Sequence, residues 1–174
     1  MSGGHSHRED FQRLFERRRN FIGGLEANRG EINLDIFEHF YPDRAHFVFE
    51  LLQNAEDAGT AEVAFSLVPD RLICEHDGRP FVLEDVTSIT GIHDSTKVES
   101  QAKIRKFGVG LKSVFVYTQT PSILCGDFAF QIERQVLPAE IASDPALGRR
   151  TRSEFPFDNP KKPPQEAYGE VAPV

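Results

Sequence analysis

Residues 47–81 read FVFELLQNAEDAGTAEVAFSLVPDRLICEHDGRPF, and the spacing of apolar residues changes inside this stretch. Phe47, Val48, Leu51, Leu52 and Ala55 recur at helical spacing, which predicts a core-facing stripe on a helix from Asp43 to Ala58. Gly59 supplies a left-handed C-cap. From Ala61 to Val68 the pattern alternates as in a strand, Pro69-Asp70 reads as a turn, and Arg71 to Glu75 alternates again. Residues 61–76 are therefore expected to form an antiparallel hairpin. A polar loop, His76 to Phe81, and a short helix from Leu83 to Ile89 follow.

Upstream, Phe11, Leu14, Phe15, Phe21, Ile22 and Leu25 predict an amphipathic helix from Asp10 to Asn28, broken at Gly23-Gly24, with Arg17-Arg18-Arg19 on its solvated face. Residues 1–9 read as flexible, and Asn33 to Phe40 as a short helix ending before Pro42. Downstream, Thr90 to Phe107 carries little apolar material and reads as a long loop; Gly108 to Tyr117 reads as a helix. Strands are expected at Ser122–Cys125 and Phe128–Leu137, joined by a Gly126-Asp127 turn, and at Thr151–Phe157. The proline-rich, charged segment 158–174 reads as a linker or frayed tail. Helices first, then hairpins with one crossover helix, give an α+β class: a two-layer α/β sandwich with a mostly antiparallel sheet covered on one face by helices.

Composition narrows the function. With 174 residues, 39% hydrophobic and 27% charged, the chain can bury the core of one domain, placed at residues 10–157. No apolar run is long enough to cross a membrane, and the N-terminus has no apolar signal-peptide core. Cys74 and Cys125 form neither a disulfide framework nor a CxxC pair and read as buried thiols. A net charge of −7 gives no indication of nucleic-acid binding. The expectation is a soluble, cytoplasmic protein. His5, His7, His39, His46 and His93 show no metal-ligand spacing.

Three short segments carry chemistry. In the first, Glu50, Asn54 and Asp57 sit at i, i+4 and i+7 on one helical face beside the core. A carboxylate there can activate water, and an amide oxygen can ligate Mg²⁺; the bland reading is an ordinary polar helix face. In the second, His76-Asp77-Gly78 follows a strand, where Asp can point into a pocket or simply favour a turn. In the third, FGVGLKSVF (107–115) opens a helix with two glycines, leaving backbone N–H groups suited to phosphate. Neither a Walker motif nor a Rossmann fingerprint is present.

In order and spacing these segments resemble the GHKL superfamily of ATP-binding domains (gyrase B, the heat-shock chaperone ATPase, histidine kinases, MutL), and most of all its sacsin-type regions. The likeness spans roughly residues 30–157 and implies the Bergerat-type ATP-binding fold. It implies ATP and Mg²⁺ as ligands, with Glu50 as the water-activating base, Asn54 as the metal ligand, and Asp57 and Ala58 beside the nucleotide. Phe107, Gly108, Val109, Gly110, Leu111, Lys112 and Ser113 correspond to the phosphate loop. Thr90 to Phe107, with Ser95-Thr96-Lys97, takes the place of the ATP lid, and Thr151 that of the threonine assisting the adenine-binding Asp. One box departs from the pattern: the family's DxGxG becomes His76-Asp77-Gly78-Arg79-Pro80. Either Asp77 or His76 then faces the base. The resemblance further implies slow hydrolysis, a nucleotide-dependent switch acting on other domains or a client protein, and a nucleotide-dependent dimer. The alternative is a degenerate interaction module without ATPase activity.

Overall fold

The computed structural model describes residues 3–27, 46–91 and 109–160. Six strands form one open sheet: β1 (Val63–Val68), β2 (Arg71–His76), β3 (Ser122–Cys125), β4 (Phe128–Glu133), β5 (Leu137–Glu140) and β6 (Thr151–Pro156). Their order is β1-β2-β6-β3-β4-β5, with every neighbouring pair antiparallel. The helices are α1 (Gly3–Ala27), α2 (His46–Asp57), α3 (Leu83–Ile89) and the single turn α4 (Val109–Lys112), which tightens into a 3₁₀ turn over Ser113–Val116. This is the expected two-layer α+β sandwich.

Alternation assigns the two faces of the sheet. Leu72, Cys74 and His76 of β2, Ile123 and Cys125 of β3, Phe128, Phe130 and Ile132 of β4, and Thr151, Ser153 and Phe155 of β6 are all buried. Helices cover this face. Phe11 of α1 packs against the rings of Phe128 and Phe130, with centroids 5.9 and 5.8 Å away. Phe47 of α2 packs on Tyr117 at 5.2 Å. The other face carries a ladder of ion pairs, Arg71–Glu154 at 2.7 Å, Arg152–Glu75 at 2.8 Å and Arg152–Asp144 at 3.0 Å. One apolar face and one charged face are what an antiparallel sheet with helices on one side requires.

Several expectations need correction. Helix α1 begins at Gly3, within the stretch read as flexible, and runs unbroken through Gly23-Gly24. Arg18 is half-buried, and its guanidinium donates to the Thr87 carbonyl of α3 at 3.1 Å, so only Arg17 and Arg19 stay on the solvated side. Leu52 is 40% exposed and leaves the core stripe. The strand expected at Phe128–Leu137 is split: Arg134 and Gln135 both have positive φ (50° and 65°), which turns the chain and starts β5. The expected helix 108–117 gives way to a 3₁₀ turn. There Asn159 Nδ2 donates to the carbonyls of Phe115 and Val116, which therefore need no partner further along a helix. Two residues read as the start of a linker or tail are packed against the domain instead. Asp158 accepts from Gln119 N–H at 2.6 Å, and Asn159 is buried. The expected helix 33–40, the loop from residue 92 to 107 and the segment 161–174 lie outside the described residues.

Among the described residues no helix is long and apolar enough to cross a membrane. Cys74 and Cys125 are free, buried thiols. Burial pushes Cys74 up to about 12.

Candidate functional site

Helix α2 forms one wall. Phe47, Leu51, Ala55 and Ala58 are buried, which turns the next face, with Glu50 and Asn54, half-buried along the edge of the core. Asp57 is exposed. The helix ends at Gly59, whose φ of +70° is the left-handed conformation expected there. Helix α2 touches both α4 and the 3₁₀ turn that follows it. The carboxylate-and-amide helix and the glycine-opened helix are thus neighbours.

The end of β2 closes against the C-terminus of α2. A Cβ at Gly78 would fall 2.8 Å from Ala58 Cβ and 3.0 Å from the Ala58 carbonyl oxygen. Arg79 N–H donates to that same carbonyl at 2.8 Å. Only glycine allows this approach. Arg79 then forks onto the buried Asp85, with Nη1–Oδ2 at 2.6 Å and Nη2–Oδ1 at 3.1 Å, while Asp85 also accepts from Val82 N–H at the start of α3. Pro80 packs under Gly126 of the β3–β4 turn, 3.2 Å from where a Cβ would stand.

Strand alternation separates the two residues left open by sequence. His76 is the last inward residue of β2 and is buried. Asp77 points out of the sheet, exposed, and its Oδ1 accepts from Thr60 Oγ1 at 2.5 Å, Ala61 N–H at 2.9 Å and Glu62 N–H at 3.0 Å. Those donors, the Thr60 hydroxyl first, hold its carboxyl down at about 2. Asp77 therefore pins the segment leading into β1. His76 Nδ1 accepts from Gly78 N–H at 3.2 Å, and desolvation holds the ring below its ordinary pKa of 6.5.

Thr151 is fully buried and pairs in register with His76 on one side and Cys125 on the other. Its hydroxyl and Cys125 Sγ are 2.9 Å apart, and the same sulfur accepts from Phe81 N–H at 2.9 Å. Cys125 thus ties the loop after β2 to β6, a role not read from the sequence, where it appeared only as a buried thiol. The β3–β6 register is the signal that reveals it.

In the third segment, Val109 and Gly110 open α4, Leu111 is in the core and Ser113 is buried. Lys112 is also buried. Its ammonium donates to the Gln135 carbonyl in the β4–β5 turn and lies 5.7 Å from the centre of the Phe115 ring. Desolvation pulls its pKa down to about 7. Lys97, Phe107 and Gly108 lie outside the described residues.

The architecture defines the chain as an α+β two-layer sandwich in which α2, the β2 end, α4 and the start of β6 converge. No protein-family model matches the chain. It is similar to human sacsin, with 31% identity over 104 residues, covering 50% of this chain and 2% of sacsin. It is also similar to the Protein NO VEIN of Arabidopsis thaliana, with 30% identity over 101 residues, 55% of this chain and 4% of that protein. The chain thus spans only a few per cent of the length of these relatives. Among solved structures, the N-terminal domain of a DNA repair protein superposes with a TM-score of 0.53 over 82% of this chain and 46% of that one. At 13% identity, that likeness is one of fold.

Proposed function

We propose that the chain is a sacsin-like nucleotide-binding module of GHKL type that takes a magnesium–nucleoside triphosphate, ATP by the family's pattern, and hydrolyses it slowly as a conformational switch. The observation carrying this reading is the contact of α2, with Glu50 and Asn54 on its half-buried face, against the α4 turn. The donor chemistry fits: a carboxylate and an amide oxygen one turn apart suit a hard cation that keeps phosphate and water ligands. Asn54 would hold Mg²⁺, which when bound offsets charge on the phosphate oxygens. Glu50 would orient a water and take its proton. Backbone N–H groups at the start of α4 would donate to phosphate, and Gly78 brings the base-side wall against Ala58. Positioning and fixed dipoles carry most of such phosphoryl chemistry.

One observation favours the alternative, a module that docks partners without hydrolysis: the Lys112 ammonium is turned to the Gln135 carbonyl, inside the protein. Calorimetric titration with Mg·ATP, Mg·ADP and a non-hydrolysable analogue separates the two. Saturable binding supports the switch; absence of heat and of any Tm shift supports the docking module. In the switch, Glu50→Ala retains ATP binding and loses hydrolysis, and unchanged turnover would refute the role given to Glu50.

A further inference from the structure

Hydrogen-bond parity tells which backbone groups each strand spends. Phe157 N–H donates to the Asp70 carbonyl at 2.8 Å, and the β2–β6 register runs on from that bond through Leu72–Phe155, Cys74–Ser153 and His76–Thr151. In an antiparallel ladder the hydrogen-bonded pairs recur at every second residue. These alternate residues of β2 therefore bond β6, and the others, Arg71, Ile73 and Glu75, bond Val68, Ser66 and Ala64 of β1. The remaining set on β1, Val63, Phe65 and Leu67, aims its backbone N–H and C=O groups away from the sheet, with no partner among the described residues. The opposite edge is built differently. There the bond from Ile141 N–H to the Ala129 carbonyl, 2.9 Å, turns Pro138 and Glu140 of β5 outward. Pro138 has no N–H, and the Glu140 carboxylate is engaged by Gln12 and Arg8 of α1. A proline and a covering helix guard an edge. Strand β1 carries no proline and no charge from Val63 to Val68, and its Leu67 is 41% exposed.

We propose that β1 docks on β1 of a second copy of this chain, antiparallel about a two-fold axis through Phe65, so that the two sheets run into one. Pairing Phe65 with the partner's Phe65, and Val63 with the partner's Leu67, meets every outward N–H and C=O of those residues. The axis stands normal to the sheet, so the helix-covered faces adjoin each other and the charged faces do the same. Directly opposed residues share a face, which makes the two Phe65 rings an aromatic cross-strand pair. An uncharged strand can oppose itself without like charges meeting. Its flanks are complementary as well: Glu62, 68% exposed, falls beside the partner's Val68, one strand from the partner's Arg71 and on the same charged face. Self-complementarity of backbone, face and flanking charge selects a second copy over an unrelated strand. The inference goes beyond the nucleotide-binding reading and does not depend on it.

Sedimentation velocity of the 174-residue chain without nucleotide tests the inference. A monomer–dimer equilibrium is expected over about a hundredfold range of concentration. Amide hydrogen exchange at Val63, Phe65 and Leu67 should slow as the dimer fills. Leu67→Lys places a charge at an exposed edge position, twice about the axis, and should weaken association by about tenfold at unchanged Tm in dilute solution. Asn20→Lys adds the same charge on the exposed side of α1 and should leave association unchanged. A chain that stays monomeric at every concentration overturns the inference, whether its β1 amides exchange freely or are protected by another segment. Dimers undiminished in Leu67→Lys, or weakened equally in Asn20→Lys, overturn it too. Ser66→Lys, at a second exposed position of the same strand, gives the same reading where Leu67→Lys does not fold.

Discussion

Gly78 lies so close beneath Ala58 that any side chain at position 78 would bring its Cβ to 2.8 Å from the Ala58 Cβ. The contact fastens the loop that follows β2 to the end of the helix that carries Glu50 and Asn54. Two segments from different layers are thereby held at fixed separation, and a loop of His, Asp and Gly becomes a rigid wall.

Gly78→Ala should therefore cost stability, since the Ala58 carbonyl and Cβ must both give way. Overpacking of this kind costs about 1–3 kcal/mol. Urea denaturation should show a lowered midpoint, with part of the loss recovered in the double variant Ala58→Gly/Gly78→Ala. Additive losses in the double variant would show that the clash is not the cause.

Asn159 closes the other side of the α4 region, donating from Nδ2 to the Phe115 and Val116 carbonyls and from its backbone N–H to the Tyr117 carbonyl. Asn159→Ala strips two side-chain bonds from a buried position and should destabilise the chain by about 1–3 kcal/mol. Asp158→Ala, at an exposed residue, serves as the milder comparison. A thermal melt in which the two variants behave alike would contradict the anchoring role.

Lys112 and Cys74 give stability a defined pH profile. The folded pKa of Lys112 is lowered to about 7 from 10.5, so above pH 7 the unfolded chain binds a proton that the folded chain lacks. Stability then rises with pH across that window. Cys74, raised to about 12 from 9.0, acts in the opposite sense: above pH 9 the unfolded thiol ionises first and stability falls. Denaturation between pH 7 and 9 should show a rise in the wild type that is absent from Lys112→Met. The decline above pH 9 should be shallower in Cys74→Ala.

Much of the fold was legible because local periodicity was strong. The hairpin of β1 and β2, the bounds of α3 and the Gly59 cap match the expectation residue by residue or nearly so. What misled was chemistry that tertiary contacts override. Arg134 and Gln135 are not the residues that favour positive φ, yet they form the β4–β5 turn, where the Gln135 carbonyl accepts from the buried Lys112. Leu52 fits the apolar stripe but faces solvent at its edge. Of the candidate site, the Glu50/Asn54 face was readable from helical spacing, whereas the commitments of Asp77, Lys112 and Cys125 were not, because their partners are distant in the chain.

Sequence by itself determined which residues share a face, because the period of a helix or strand is a local property of the backbone. It also left two adjacent residues, His76 and Asp77, competing for one place. Only the tertiary structure decided between their positions. Inserting β6 between β2 and β3 sets Thr151 beside His76 on the buried face and leaves Asp77 outside, since alternation says which side chains agree with one another but long-range pairing decides which face is covered.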